Sequence, residues 1–202
     1  MCRGDLSSDH CDSCIVNAAK FAQETDCKHK DGLFDSDECI FRYANHSMYG
    51  LLEPAASITI GAPTAKVSNY KQYNHTLGIL LETLISEAAF GNGSSSNVPG
   101  FATREADVTS DETIYGLAQC TPDIVGVNCS KCLRFGLSSL RSCCDGTQGA
   151  QTIRPKCLLR YDNRTFYNTM DSNASPSSTQ ERLKYTIFLV MISSFLILVV
   201  GG

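Results

Sequence analysis

The chain has 202 residues, 17 basic against 21 acidic side chains for a formal net charge of −4, 11 cysteines and no tryptophan. That length suits one or two small domains, and basic residues that form no long run argue against a nucleic-acid binder. Eleven cysteines are many for a cytosolic protein of this size, and an odd number leaves one thiol without a partner in the chain.

Residues 2–14 hold three cysteines with Arg3, Asp5, Asp9 and Asp12 and no apolar stretch, so they do not read as a secretory leader. The chain begins inside a cysteine pattern, as though material ahead of Cys2 were missing. Residues 51–61 read as a linker. The stretch 73–90 is predicted to be an amphipathic helix, with Leu77, Leu80, Leu81, Leu84, Ile85 and Ala88 recurring at three- and four-residue steps. Residues 91–100 are a loop by composition, and Thr113–Cys120 has the short apolar runs of a strand. Leu133–Cys143 reads as a second helix, with Leu133, Leu137 and Leu140 on one face. Thr152–Ile153 and Cys157–Tyr161 read as strands around Pro155.

Residues 170–184 form a polar, serine-rich stalk without apolar periodicity. Residues 185–202 carry no charge. As a helix they would rise about 27 Å against a hydrocarbon core of roughly 30 Å. The absence of a polar face disfavours a buried core helix. Two membrane readings stay open: a transmembrane helix, truncated before its cytoplasmic flank, or a lipid-anchor signal in which Ser172, Asn173, Ala174 and Ser175 supply the small residues.

The cysteines reveal a repeat. Cys2, Cys11 and Cys14 have the spacing C-x8-C-x2-C, and Cys120, Cys129 and Cys132 repeat it 118 residues later. Cys39 precedes Cys157 by the same offset, and both open a strand ending in Arg-Tyr. The second copy is whole over 62–169, whereas the first keeps only its cysteine half, 1–50. Cys14–Gln23 and Ile40–Tyr43 are then the first copy's helix and strand. Helix, strand, helix and strands in this order make an α+β domain with helices packed on an antiparallel sheet.

The two C-x2-C pairs also invite a metal reading, but zinc sites place their pairs about 15–20 residues apart. These pairs fall in different repeats, 115 residues apart. Structural disulfides are the better account, contributing ~2–4 kcal/mol each in a small domain. Sequons at Asn45, Asn74, Asn92 and Asn163 agree with an oxidising compartment. Two more, at Asn128 and Asn173, are discounted for a neighbouring cysteine and a following Pro176. The histidines His10, His29, His46 and His75 are scattered, and no nucleophile–base–orienter set can be argued from spacing. No catalytic residue, metal site or cofactor is assigned. Arg3-Gly4-Asp5 spells an integrin tripeptide, which we read as coincidence.

Taken with its surroundings, the C-x8-C-x2-C repeat resembles the ginkbilobin-type antifungal domain. That module is the cysteine-rich extracellular part of plant cysteine-rich receptor-like kinases, plasmodesmata-located proteins and cysteine-rich repeat secretory proteins. The stretches that carry the resemblance are Cys2–Asp5, Thr113–Asp123, Cys143–Gly146, Arg160-Tyr161 and Phe166-Tyr167.

The resemblance implies two helices on an antiparallel sheet of about five strands in each complete domain. It implies the pairings Cys2–Cys11, Cys120–Cys129, Cys14–Cys39 and Cys132–Cys157. It also implies a further bond from a cysteine near the second helix to one at the domain's N-terminus. Cys27 would need a partner ahead of Met1, and Cys143 and Cys144 either bond to each other or stay reduced. Ginkbilobin's mannose site implies an Arg and a Glu at positions where this chain has Gln151 and Asp162, so those two are the candidate ligand-binding residues.

The implied function is an extracellular ligand- or partner-binding ectodomain of a plant receptor-like protein in stress or defence signalling, facing outward at the plasma membrane. No Gly-rich nucleotide loop, His-Arg-Asp loop or Asp-Phe-Gly appears, so a kinase is absent from this chain. The alternatives are a plasmodesmata-located type of membrane adhesion or scaffold protein, and a secreted antifungal mannose-binding lectin. Expected partners are an extracellular protein or carbohydrate, the membrane, and further ectodomains, with no nucleic acid. Without its first helix and early strands, the first copy is expected to be poorly folded by itself or to pack on the second.

Overall fold

A computed structural model describes residues 1–25, 29–52, 57–61, 67, 69–91 and 98–168. In chain order the elements are α1 (Ser8–Thr25), β1 (Asp31–Asp35), β2 (Ile40–Ala44), β3 (Ile58–Gly61), α2 (Tyr70–Phe90), β4 (Phe101–Thr109), β5 (Glu112–Cys120), α3 (Val127–Cys143), β6 (Ala150–Arg154) and β7 (Cys157–Asp162). The fold is α+β, three helices on antiparallel sheets. β3 to β7 form a five-stranded sheet in the order β3-β6-β7-β5-β4, and β1 pairs with β2.

The second copy is built from its helices. α2 starts where the Asn69 side chain accepts from the Gln72 backbone N–H at 3.4 Å. It ends where Gly91, at φ 71°, returns its N–H to the Glu87 carbonyl. The leucine stripe of α2 and Leu133, Leu137 and Leu140 of α3 bury against Ala102, Ile114, Ala118 and Leu159 on the inner face of the sheet. Full burial of such side chains is worth roughly 1.5–3 kcal/mol each. Gly116 permits the close approach, because a Cβ there would stand 2.5 Å from Leu84 Cδ1. One charge enters this layer: Glu87, 4% exposed, is held by the Arg104 guanidinium from β4.

The first copy packs on the outer face of the same sheet. Ile40 joins Phe101, Leu117, Ile153, Leu158 and Tyr167 in a second cluster, flanked by Met1, Leu33, Tyr115 and Phe166. Gly4 lies so close to the Phe101 ring that an added Cβ would fall 2.5 Å from its Cγ. Gln119 stitches the join, donating from Nε2 to the Cys2 carbonyl at 2.7 Å and accepting the Gly4 N–H at 3.2 Å. Asp5, its charge met by Arg3, accepts the Asn168 N–H at 2.8 Å. Asp123 accepts the Gly50 N–H at 2.7 Å and pairs with Lys156. The packing of residues 1–50 on the second copy is therefore present.

Disulfides join Cys2 to Cys11 and Cys14 to Cys39, and at the same separations Cys120 to Cys129 and Cys132 to Cys157. Cys143 is bonded to Cys144. Each copy thus ties its helix to the strand lying beneath it, which restricts the unfolded chain.

Several elements differ from the sequence reading. α1 and α3 extend beyond Cys14–Gln23 and Leu133–Cys143, and β6 and β7 beyond their short runs. β1 and β4 are strands where none was read. The linker assigned to 51–61 contains β3, because Ile58 and Ile60 alternate with Thr59, whose Oγ1 meets Thr152 Oγ1 at 3.2 Å across the pair. α1 is less covered than α3. Ile15, Ala18 and Ala19 occupy the repeat positions of Leu133, Gly136 and Leu137, yet only Ala22 of α1 is buried. α1 packs on β1 and β2, whereas α3 has α2 beside it as well.

Cys27, Asn92, Asn173, the stalk and the apolar stretch 185–202 lie outside the described residues. Among the described residues, no helix is long and apolar enough to cross a membrane.

Candidate functional site on the outer sheet face

Side chains alternate along β6 and β7, so Gln151 and Ile153 share the outer face with Leu158, Arg160 and Asp162. Gln151 stands directly opposite Arg160 in the ladder. Arg160 Nη2 lies 3.9 Å from Asp162 Oδ2. The two candidate ligand residues are thus brought together, one on each side of an arginine. Asp162 also accepts the Arg164 N–H at 3.2 Å, which ties the loop after β7 to the site.

Arg160 is held from three directions. Asp37, in the turn between β1 and β2, reaches Nη1 at 3.1 Å. The Phe166 ring lies under the guanidinium, 4.2 Å from Cζ to the centroid. Asp162 is the third partner. Asp35 stands nearby; burial pushes its carboxyl up to about 6, and Asp37 adds to the rise while Arg160 opposes it. Phe166 meets Tyr167 edge-on at 5.1 Å, and Tyr167 meets Tyr115 at 6.3 Å. Burial, with Glu105 and Tyr115 nearby, pushes the Tyr167 phenol up to about 12.

Beyond Gln151 the patch becomes apolar. Ile60 is its partner in β3, and Ile58 and Ile60 are 39% and 51% exposed on the sheet's edge strand. The surface therefore runs from a carboxylate–guanidinium–amide group to an exposed aliphatic edge. It can hydrogen-bond and pack, but it offers no activated nucleophile.

The sequence reading found Gln151 and Asp162 but not Arg160, Asp35, Asp37 or Phe166 as their companions. Arg160-Tyr161 recurs as Arg42-Tyr43 in the repeat, a signal that marks the strand but not its partners. The remaining assignments are dispersed. Asn45, Asn74 and Asn163 are exposed, and Asn163 donates to Gln148 Oε1 at 2.9 Å. Among the described residues, no group of three metal-ligating side chains gathers. His10 is exposed and lies 4.0 Å from Glu38. Arg3 and Asp5 of the tripeptide bond each other through paired contacts of 2.8 and 2.9 Å, with the Asp5 side chain 0% exposed. The tripeptide thus serves the join between copies.

Comparison with known proteins agrees with this architecture. Residues 1–46 and 62–164 match the family model described as salt stress response/antifungal. Cysteine-rich receptor-like protein kinase 25 of Arabidopsis thaliana is 34% identical over 185 residues, covering 89% of this chain and 26% of that protein. The probable cysteine-rich repeat secretory protein 6 of the same plant is 31% identical, covering 95% of this chain and 71% of the relative. The antimicrobial ginkbilobin-2-like protein of Castanea crenata is 31% identical, with 82% and 66% covered. This chain therefore spans about a quarter of the matched kinase and most of the matched secretory protein. The crystal structure of the tandem DUF26 ectodomain of the Arabidopsis thaliana protein PDLP8 superposes with a TM-score of 0.68 at 19% identity, covering 82% of this chain and 72% of that one. By sequence and by fold the chain is a member of the salt stress response/antifungal (DUF26) family, which includes cysteine-rich receptor-like kinases and cysteine-rich repeat secretory proteins.

Proposed function

We propose that this chain is an extracellular binding module that recognises a ligand or partner in plant stress or defence signalling, with its cysteine pairs formed in the secretory pathway. The observation that carries the reading is the outer-face group of Gln151, Arg160 and Asp162 beside the exposed Ile60, set where the two copies meet. Polar groups convergent beside an apolar strip are the usual makings of a recognition surface. A sheet whose strands β5 and β7 are tied by disulfides to α3 holds it in place at little entropic cost on binding.

A mannose-binding lectin is less well supported. The Arg of the sugar site is Gln151 here, and the nearby Arg160 is already engaged by Asp37 and Phe166. Association between ectodomains, as in the scaffold reading, has one observation in its favour: β3 is an edge strand with two exposed isoleucines, and such edges pair readily with other chains. Any membrane anchor, and any kinase in a longer protein, belong to the proposal and not to the described residues.

The test is a screen of the secreted protein against plant cell-wall oligosaccharides and secreted plant ectodomains, repeated with Gln151→Ala and Ile60→Lys. The expected result is a ligand whose affinity falls at least tenfold in one or both variants. A ligand bound equally by wild type and both variants would place recognition elsewhere.

A further inference from the structure

A second site lies on the opposite side of the sheet. Between α2 and α3 opens a cleft of about 240 Å³, walled by Leu77 and Leu81 of α2 and by Leu137 and Leu140 of α3. One wall residue is a glycine. Gly78 sits within α2 at the cleft wall, and a Cβ built there meets nothing within 4 Å. A glycine inside a helix costs roughly 0.5–1 kcal/mol relative to alanine, and here it leaves open space that a side chain would fill.

The mouth is polar and asymmetric. On one side Tyr70 donates to Asp145 Oδ2 at 2.6 Å, and Asn74 Nδ2 donates to Tyr70 Oη at 3.5 Å. That hydrogen bond to Asp145 pushes the Tyr70 phenol up and occupies one oxygen of the carboxylate. On the other side stands Arg141, 63% exposed, whose contact with Glu82 is a loose 3.7 Å. Glu82 is more closely bound to Arg134, at 2.8 Å. Arg141 is therefore the cation at the rim that an incoming anion can engage.

We propose that this cleft binds a small aromatic acid, its ring between the leucines of α2 and α3 and its carboxylate on Arg141. The volume lies just below the roughly 300–1,000 Å³ of sites for drug-sized ligands, which limits the occupant to one or two fused rings. The lining pairs leucine walls with a polar rim on which Arg141 is the cation and Asp145, one of whose oxygens is taken by Tyr70, the anion; an amphipathic anion that seats its ring on the leucines and its carboxylate on Arg141 is favoured over a cationic analogue of the same shape. The site shares no residue with the outer-face patch, so it stands or falls separately from the function proposed above.

The test is titration calorimetry with three probes of one shape: 2-naphthoate, 2-naphthol and 2-naphthylmethylamine. Wild-type protein secreted to the bacterial periplasm serves as the background, because its disulfides form there without a glycan on Asn74 and every residue of the mouth is kept. Naphthoate is expected to bind at least tenfold more tightly than the amine. Gly78→Leu fills the slot and favours the helix, so it should abolish binding without lowering the melting temperature. Arg141→Gln should remove the preference for the acid while the neutral probe still binds. Naphthoate binding that survives Gly78→Leu, a preference for the amine, or no binding of any probe would each overturn the proposal.

Discussion

Replacing Gln119 by methionine keeps the volume at the join between the copies and removes its two hydrogen bonds. Gln119 is 6% exposed, and its amide donates to the Cys2 carbonyl at 2.7 Å and accepts the Gly4 N–H at 3.2 Å. Leaving a buried polar group without a partner costs roughly 1–3 kcal/mol. Two such groups give about 2–6 kcal/mol, and the partial burial of this contact favours the lower end. Urea unfolding of wild type and Gln119→Met measures the total, and hydrogen exchange locates it. Amides of β1, β2 and residues 1–6 should lose protection, whereas those of α2 and β4 should keep most of theirs. A change below about 0.5 kcal/mol, the scale of ordinary surface substitutions, would refute the reasoning. So would a loss of protection confined to α2 and α3.

Arg104→Ala should destabilise the protein by about 1–3 kcal/mol in thermal unfolding, because the buried Glu87 loses its partner, while Arg104, 44% exposed, leaves the site open to water and keeps the loss below that of a fully buried pair. Asp35 has a carboxyl pKa raised from 3.8 to about 6 in the folded protein, so folding takes up a proton between those values. Its contribution to stability is present below about pH 4 and is lost as pH rises through 6, a decline that Asp35→Asn should remove from a melting series. Asp123 works in the opposite sense. Burial opposes its charge, but hydrogen bonds from Lys156, Thr121 and Gly50 hold it near 2, so its contribution is lost as pH falls from 3.8 towards 2. Asp123→Asn should flatten the acid limb below pH 4. Gly61→Cys should cross-link to Cys144, because a Cβ at 61 would lie 2.9 Å from Cys144 Sγ and 3.3 Å from its Cβ. Peptide mapping would then find Cys143 as a free thiol; an intact bond between Cys143 and Cys144 would contradict the placement of β3.

What could be read from the sequence follows from how local each signal is. The leucine stripe of α2 is a local pattern, and Leu80, Leu84 and Ile85 are buried as that pattern requires. β4 hides its pattern. It is an edge strand carrying Arg104, Glu105 and Asp107, and the place of Arg104 on the helix side of the sheet is explained by its pairing with Glu87 of α2. β3 is four residues long, and its Ile58-Thr59-Ile60 alternation is too short to separate it from a linker without its pairing to β6. β1 is bounded by Asp31 and Asp35, and its place follows from Phe34 lying opposite Phe41 in β2. At the site, Gln151 and Asp162 were reached by resemblance to a sugar-binding pattern. Arg160, which stands between them, bonds Asp37 at a separation of 123 residues, a contact that exists only because the first copy packs on the outer face of the second.

The direct test of the central claim, that the outer face where the copies meet is a binding surface, is the affinity of one identified extracellular ligand for wild type and for the double variant Gln151→Ala, Ile60→Lys. The expected result is at least a tenfold loss in the double variant, with the melting temperature unchanged. Equal affinities in two equally stable proteins would contradict it.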